Sequence, residues 1–177
     1  MDILPASALT EAQLLQAAQI LSASLPLGWP TLQAAWEELE ELLASGGCLL
    51  AALEDGVVTG LGGLLPPDYD GRVWELHPLA VEASRRGRGI GRALVTALED
   101  TARARGGLLM WLGADDEQGE TSLSHTDLFD GLPRRLASFD PGRHASAFYM
   151  KLGYQVIGVV PDANGPGKPD ILLGKRL

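Results

Sequence analysis

The sequence has a single cysteine, Cys48, so no disulfide can form within the chain and a reducing compartment suits it. Histidine is scarce as well. His77, His125 and His144 show no ligand spacing with one another or with Cys48, so no metal is expected. No apolar run reaches the roughly 20 residues that a membrane-crossing helix needs. The opening MDILPASALT lacks both the basic start and the sustained apolar stretch of a signal peptide. Positive charge is also short: 14 Lys and Arg stand against 23 Asp and Glu, a formal net charge of -9. A general nucleic-acid binder needs a broad positive face, which this balance does not provide. The expectation is a soluble cytoplasmic protein with neither nucleic acid nor membrane as a partner, and with a leaning toward cationic partners.

What is present is ordinary globular composition, with 46% hydrophobic and 21% charged residues among 177. That length supports one buried core, and a single domain over 1–177 is expected. The first few residues suit a short strand. Residues 8–22 follow as a helix, with Leu14, Leu15, Ala18 and Leu21 on one face. Thr31 can cap a second helix, in which Leu32, Trp36, Leu39 and Leu43 share a face while Glu37, Glu38, Glu40 and Glu41 stay wet. CLLAAL and VVTGLGGLL, joined by EDG, read as a hairpin. VWELHPLAV is a strand over 73–81, in which Pro78 lacks an N–H and should interrupt pairing. Residues 90–105 form the clearest helix, and LLMWLG is a buried strand. The segment 114–142 has no period. A short helix HASAFYMKLG, a strand YQVIGVV and a last strand ILLGKRL complete an α/β (α+β) pattern: a mixed sheet with helices on its faces.

The positive charge that exists is concentrated. EASRRGRGIGRAL, residues 82–94, holds Arg85, Arg86, Arg88 and Arg92 around Gly87, Gly89 and Gly91. It lies between the strand ending at Val81 and the helix beginning at Ile90. A helix start leaves N–H groups unsatisfied and carries the positive end of the dipole. Glycines let that backbone curl around a ligand, and arginines add paired donors. This makes an anion site suited to a pyrophosphate. The dinucleotide pattern GxGxxG fails at Arg92, and the Walker pattern is absent. Arg86, Gly89 and Gly91 fit Arg-x-x-Gly-x-Gly.

That pattern, in its strand–loop–helix setting, resembles the acyl-CoA pyrophosphate loop of the GNAT superfamily of N-acetyltransferases. WELHPL, LGADDE, TSLS, DLF, FYMKLGY and PDANGPGKPDI, in that order, are similar to one branch of it, the aminoglycoside 6′-N-acetyltransferases and their relatives. The resemblance implies a mixed, mostly antiparallel central sheet with a splayed strand pair and helices on both faces. It implies acetyl-CoA as acyl donor, held by Leu79, Ala80 and Val81 and by the loop residues Arg86, Gly87, Arg88, Gly89, Ile90, Gly91 and Arg92.

Acetyl transfer from a thioester to an amine needs a held donor, a polarised carbonyl, a neutral amine and a protonated leaving thiolate. Backbone groups freed near Pro78 could pair with the pantetheine arm, with an N–H near Leu79 or Ala80 on the thioester oxygen. Glu75 is the candidate base or amine-orienting group, and otherwise an exposed strand residue. His77 shares its strand face. Tyr149, four residues before Gly153, stands where the superfamily carries the tyrosine that protonates CoA thiolate; a core tyrosine is the plainer reading. Trp29 lies in the region that shapes the acceptor side in the superfamily. From Arg105 to Arg134 no Lys or Arg intervenes, while acids do, so Asp115 and Asp116, with Asp170 beyond, are candidate contacts for a basic acceptor. Cys48 reads as a buried thiol, which favours direct transfer. The expected function is N-acetylation of a primary amine on a small cationic molecule, aminoglycosides among the candidates. The alternatives are a protein N-terminal or lysine acetyltransferase and a non-catalytic acyl-CoA-binding module. Superfamily relatives are often dimers, which leaves a homodimer open.

Overall fold

The chain is described over residues 1–177 by a computed structural model. Its residues gather into two compact units, Met1–Met110 with Leu177, and Trp111–Arg176.

In the first unit, β1 (Asp2–Pro5), β2 (Cys48–Glu54), β3 (Val57–Leu64) and β4 (Val73–Val81) are neighbours in that order, each antiparallel to the next. Between β1 and β2 come α1 (Glu11–Ser24) and α2 (Leu32–Ala44). Thr10 starts α1 with a reciprocal cap: its hydroxyl accepts from the Gln13 N–H, and its own N–H donates to Gln13 Oε1 at 2.9 Å. Thr31 caps α2 as expected, accepting the Ala34 N–H at 3.1 Å. The buried faces share Ala18, Leu21 and Leu39 with the expected ones and are otherwise rotated from them. Ala17, Ala18 and Leu21 bury α1, while Ala35, Leu39 and Leu42 bury α2. Leu15, Leu32 and Trp36 instead line an open groove, with Trp36 also packed against the edge of the core.

α3 (Ile90–Ala104) buries Ile90, Leu94, Val95, Leu98 and Ala102. Its seat depends on glycines in β3. A Cβ at Gly60 would lie 3.1 Å from Ile90 Cγ2, and one at Gly62 would lie 2.9 Å from Leu98 Cδ1. The TGLGG run therefore lets α3 sit close on the sheet, which sets its first turn at the end of β4. Pro78 disturbs pairing as expected: the β3–β4 register runs Gly62↔Leu79 but Leu64↔Leu76, a bulge that accommodates the missing N–H.

The second unit contains most of β5 (Leu109–Asp115), then α4 (Leu132–Ala137), α5 (Ser146–Met150), β6 (Gln155–Val160) and β7 (Asp170–Arg176). β7 lies between β5 and β6 and pairs with β6 antiparallel. The segment without sequence period is an organised loop rather than a loose one. Asp116 is fully buried there. Its Oδ1 accepts the Glu120 N–H at 2.7 Å, and its Oδ2 accepts the Thr121 N–H at 2.8 Å and the Ser124 hydroxyl.

No helix is long and apolar enough to cross a membrane.

Candidate functional site

β4 is the spine of the site in the first unit. Burial alternates along it: Trp74, Leu76, Pro78 and Ala80 are buried, while Glu75, His77, Leu79 and Val81 on the other face are half-buried. The alternation puts Glu75 and His77 on one face, as the sequence suggests. They line a cavity of about 450 Å³ together with Glu38, Glu41, Leu42 and Ser45 from the end of α2, and Leu65, Pro66, Asp68 and Val73. Carboxylates dominate its polar lining. Trp29 reaches the same place, since its ring packs 5.5 Å from His77 and its indole N–H donates to Glu38 at 3.1 Å.

Past the bulge, backbone direction becomes the useful property. The Glu82 N–H donates to the Thr59 carbonyl at 3.0 Å, and Ala80 pairs with Leu61 in the same phase. Antiparallel ladders alternate, so Ala80 turns its N–H and C=O to β3, and Leu79 and Val81 turn theirs away from it. An N–H offered to a ligand at this level belongs to Leu79 or Val81, which sets Ala80 aside as that donor. The Val81 carbonyl is taken by Arg86 Nε at 3.1 Å, so this arginine fastens the loop to the strand.

The loop itself is built from left-handed glycines. Gly87 has φ 76° and Gly89 φ 87°, and Gly89 is the N-cap of α3. The first helical bond runs from the Ala93 N–H to the Gly89 carbonyl, which leaves the N–H groups of Ile90, Gly91 and Arg92 without helical partners. Nothing lies within 4 Å of a Cβ built on Gly87 or Gly89, so the cradle is open. The arginines divide their work. Arg85 pairs with Glu54 and with Glu82, Arg88 approaches Glu54 at 3.8 Å, and Arg92 is exposed with no ion pair. A charged arginine with no partner on an open helix start is well suited to an anion.

In the second unit, Tyr149 is buried in α5 and packs edge-on to Phe148 and Tyr154, with ring centroids 5.0 and 5.8 Å away. Burial pushes its phenol well above the ordinary range, so it stays protonated. Asp115 is exposed and accepts from Asn164 Nδ2 at 2.6 Å. Asp170 lies against the Gly113 backbone, and its Oδ1 is buried with no hydrogen-bond partner. Burial, then the neighbouring Asp115 charge, raise the Asp170 pKa. His144 is structural, bridging Ser146 Oγ at 3.0 Å and the Asp115 carbonyl at 3.1 Å. Asp116 is a correction to the sequence reading. Its oxygens are all used by its own loop, so it shapes the acidic segment and has nothing left for an acceptor. Cys48 is buried, and desolvation raises its pKa, which keeps it a thiol.

Glu38, Glu41 and Asp68 were not singled out from the sequence. Glu38 falls one residue from the buried Leu39 and four from the buried Leu42, a spacing that borders the core face and could have marked it as more than a wet residue.

A strand, a left-handed glycine loop and an open helix start in this order accompany a family match. The model of the GNAT family of acetyltransferases matches residues 14–123. The chain belongs to the GNAT family. Its mixed α/β, mostly antiparallel architecture is that of solved GNAT structures. An aminoglycoside 6′-N-acetyltransferase complexed with coenzyme A is 37% identical, with a TM-score of 0.90 over 99% of this chain and 97% of that one. The aminoglycoside 6′-N-acetyltransferase from Enterococcus faecium is 38% identical, with a TM-score of 0.89 over the same shares. A mycothiol acetyltransferase of Thermomonospora curvata is 46% identical over 67 residues, 37% of this chain and 21% of that protein. The GNAT chain thus spans about a fifth of that curated relative.

Proposed function

We propose that the protein transfers acetyl from acetyl-CoA directly to a primary amine of a small cationic acceptor, aminoglycosides among them. The observation that carries the reading is the acidic cavity on β4, where Glu38, Glu41, Asp68 and Glu75 converge beside His77. Several carboxylates in one concavity hold an ammonium-bearing molecule and repel an anionic one. The donor lies further along the same strand. Its pyrophosphate takes the N–H groups of Ile90, Gly91 and Arg92 in the curl of Gly87 and Gly89, and the pantetheine arm takes the backbone of Leu79 and Val81. The Leu79 N–H polarises the thioester carbonyl.

The amine nitrogen attacks the thioester carbon, and the C–S bond breaks. An alkyl ammonium has a pKa of about 10.4, so a proton must leave before attack. Glu75 accepts it, directly or through water. The departing thiolate takes a proton from Tyr149. Its raised pKa keeps the phenol protonated, which leaves it a proton to give. Asp115 and Asp170, in the second unit, remain candidate contacts for an ammonium group. The single chain 1–177 carries all these parts.

The test is turnover by the purified protein with acetyl-CoA and a panel of amines, followed by thiol release. Small polycationic amines are expected to turn over, with kcat/KM at least about tenfold lower in Glu75→Gln, the loss of one charged contact. Tight CoA binding without turnover on any amine would point to the non-catalytic module. Turnover confined to peptides would point to a protein acetyltransferase.

A further inference from the structure

In the acetyl-transfer reading Glu38 is one carboxylate among several, yet this side chain ties together three pieces of the acceptor cavity. Its Oε2 accepts the Trp29 indole N–H at 3.1 Å, and its Oε1 lies 3.3 Å from His77 Nε2. The Trp29 and His77 rings meet at 5.5 Å with their planes 55° apart. The residues come from the turn before α2, from α2 itself and from β4. Each is anchored separately. The Trp29 N–H donates to the Leu25 carbonyl at 3.0 Å, and its carbonyl accepts from Ser22 Oγ at 3.0 Å. Glu38 stands on α2 next to the buried Leu39, and His77 lies within the β4 bulge, between the Leu76 and Leu79 pairs with β3.

A carboxylate at neutral pH has no proton to give. His77 must therefore carry a hydrogen on Nε2, and whenever the ring is neutral its lone pair lies on Nδ1. We infer that Glu38 is a positioning residue of the acceptor cavity: it fixes the tautomer and orientation of His77 and holds Trp29 against it. The cavity then has one defined wall, in which the neutral form of His77 offers Nδ1 as its only ring acceptor. What the wall recognises rests on the acetyl-transfer reading; the tautomer does not.

The test uses full-length ¹⁵N-labelled protein and long-range ¹H–¹⁵N correlation of the histidine rings at mildly alkaline pH, with His77→Gln identifying the resonance. The wild type is expected to show the Nε2–H tautomer. Glu38→Gln presents an amide N–H to Nε2 while its carbonyl keeps Trp29, so the ring should move toward Nδ1–H. With a cationic amine, Glu38→Gln should raise KM by about tenfold, the loss of one charged contact, and also lower kcat severalfold. Glu41→Gln removes a charge from the same cavity without touching Trp29 or His77, and should raise KM while keeping the tautomer. An Nδ1–H wild type, an Nε2–H ring retained in Glu38→Gln, or a kcat loss no greater than that of Glu41→Gln would each overturn the inference. Absence of turnover with every amine would sink the acetyl-transfer reading, and the His77 tautomer would still decide whether Glu38 positions it.

Discussion

Asp116→Asn isolates the contribution of one buried carboxylate to the loop after β5. Burial by itself raises the pKa of Asp116, but hydrogen bonds from Ser124, Glu120 and Thr121 outweigh it and bring it from an ordinary 3.8 down to about 2. At 1.36 kcal/mol per pKa unit, that drop makes the ionised form worth about 2 kcal/mol to the folded state. The sign follows from proton binding. The folded state binds this proton less tightly than the unfolded chain, so the stabilisation is full above the ordinary pKa and is lost as pH falls toward about 2. Asparagine has the same shape, but one of its two acceptor positions becomes an NH₂. That group faces either the Glu120 N–H or the Thr121 N–H, and leaving a buried donor unmet costs about 1–3 kcal/mol. Together these give a loss of about 3–5 kcal/mol at pH 7, or roughly 6–20 °C in Tm for a chain of this size. Urea unfolding of both proteins from pH 7 to pH 3 measures it. The difference should be flat down to about pH 5 and should have lost about half of its charge-dependent part by pH 3. A variant as stable as wild type at pH 7, or a gap unchanged at pH 3, would refute the assignment of Asp116 as the loop's organising anion.

Gly87→Val with Gly89→Val should weaken CoA binding at least about tenfold by calorimetry, because left-handed φ costs a side chain about 1–2 kcal/mol per residue and the cradle opens to relieve it. The fold should survive, since neither Cβ meets a neighbour within 4 Å, and an unchanged CoA affinity would remove the loop from donor binding. Tyr149→Phe keeps the buried ring and removes the proton; kcat should fall about 10²-fold with CoA affinity kept, and unaltered turnover would take Tyr149 out of the chemistry. Asp170→Asn should raise Tm at pH 7. Its raised pKa means that the folded state holds this proton more tightly than the unfolded chain. Stability is therefore full below the ordinary value and lost as pH rises through the folded one, so the gain should vanish near pH 3, where wild type is protonated too.

The loop, strand and helix of the proposed donor half were legible in the sequence, and the cavity proposed for the acceptor only partly. Backbone features leave strong local marks. Gly87 and Gly89 are needed for left-handed turns, Pro78 for a bulge, and the TGLGG run for a close helix, so loop, strand and α3 could be placed from residue type. An acceptor cavity is assembled from side chains far apart in sequence. Glu38 and Asp68 meet Glu75 only once α2 and the β3–β4 loop pack, and no local period encodes that meeting. Helix faces were legible in part for a related reason. Ala18, Leu21 and Leu39 are buried as their spacing suggests, but Ala17 and Ala35, which no large side chain marks, also hold core seats. Asp115 and Asp116 are adjacent identical residues, and only the loop's fold tells the exposed one from the one it consumes.

Pro78 explains why one strand can serve both halves of the proposed reaction. On the N-terminal side of the bulge, β4 presents side chains: Glu75 and His77 face the acidic cavity. On the C-terminal side it presents backbone: the groups of Leu79 and Val81 point away from β3, and the Val81 carbonyl anchors Arg86. A regular ladder would hold both stretches in one register against β3. The extra residue on β4 between the Leu64↔Leu76 and Gly62↔Leu79 pairs lets the two be set separately. Under the proposed function, the amine and the thioester carbonyl would then meet at the level of the bulge, between the side chain that takes the proton and the N–H that polarises the carbonyl. Replacing Pro78 would restore an N–H and let the ladder close. Pro78→Ala should therefore lower kcat while sparing CoA binding, because the loop from Arg86 to Arg92 is fastened at Val81, beyond the bulge. A Pro78→Ala protein with wild-type kcat would show that the bulge only accommodates the ring and does no positioning.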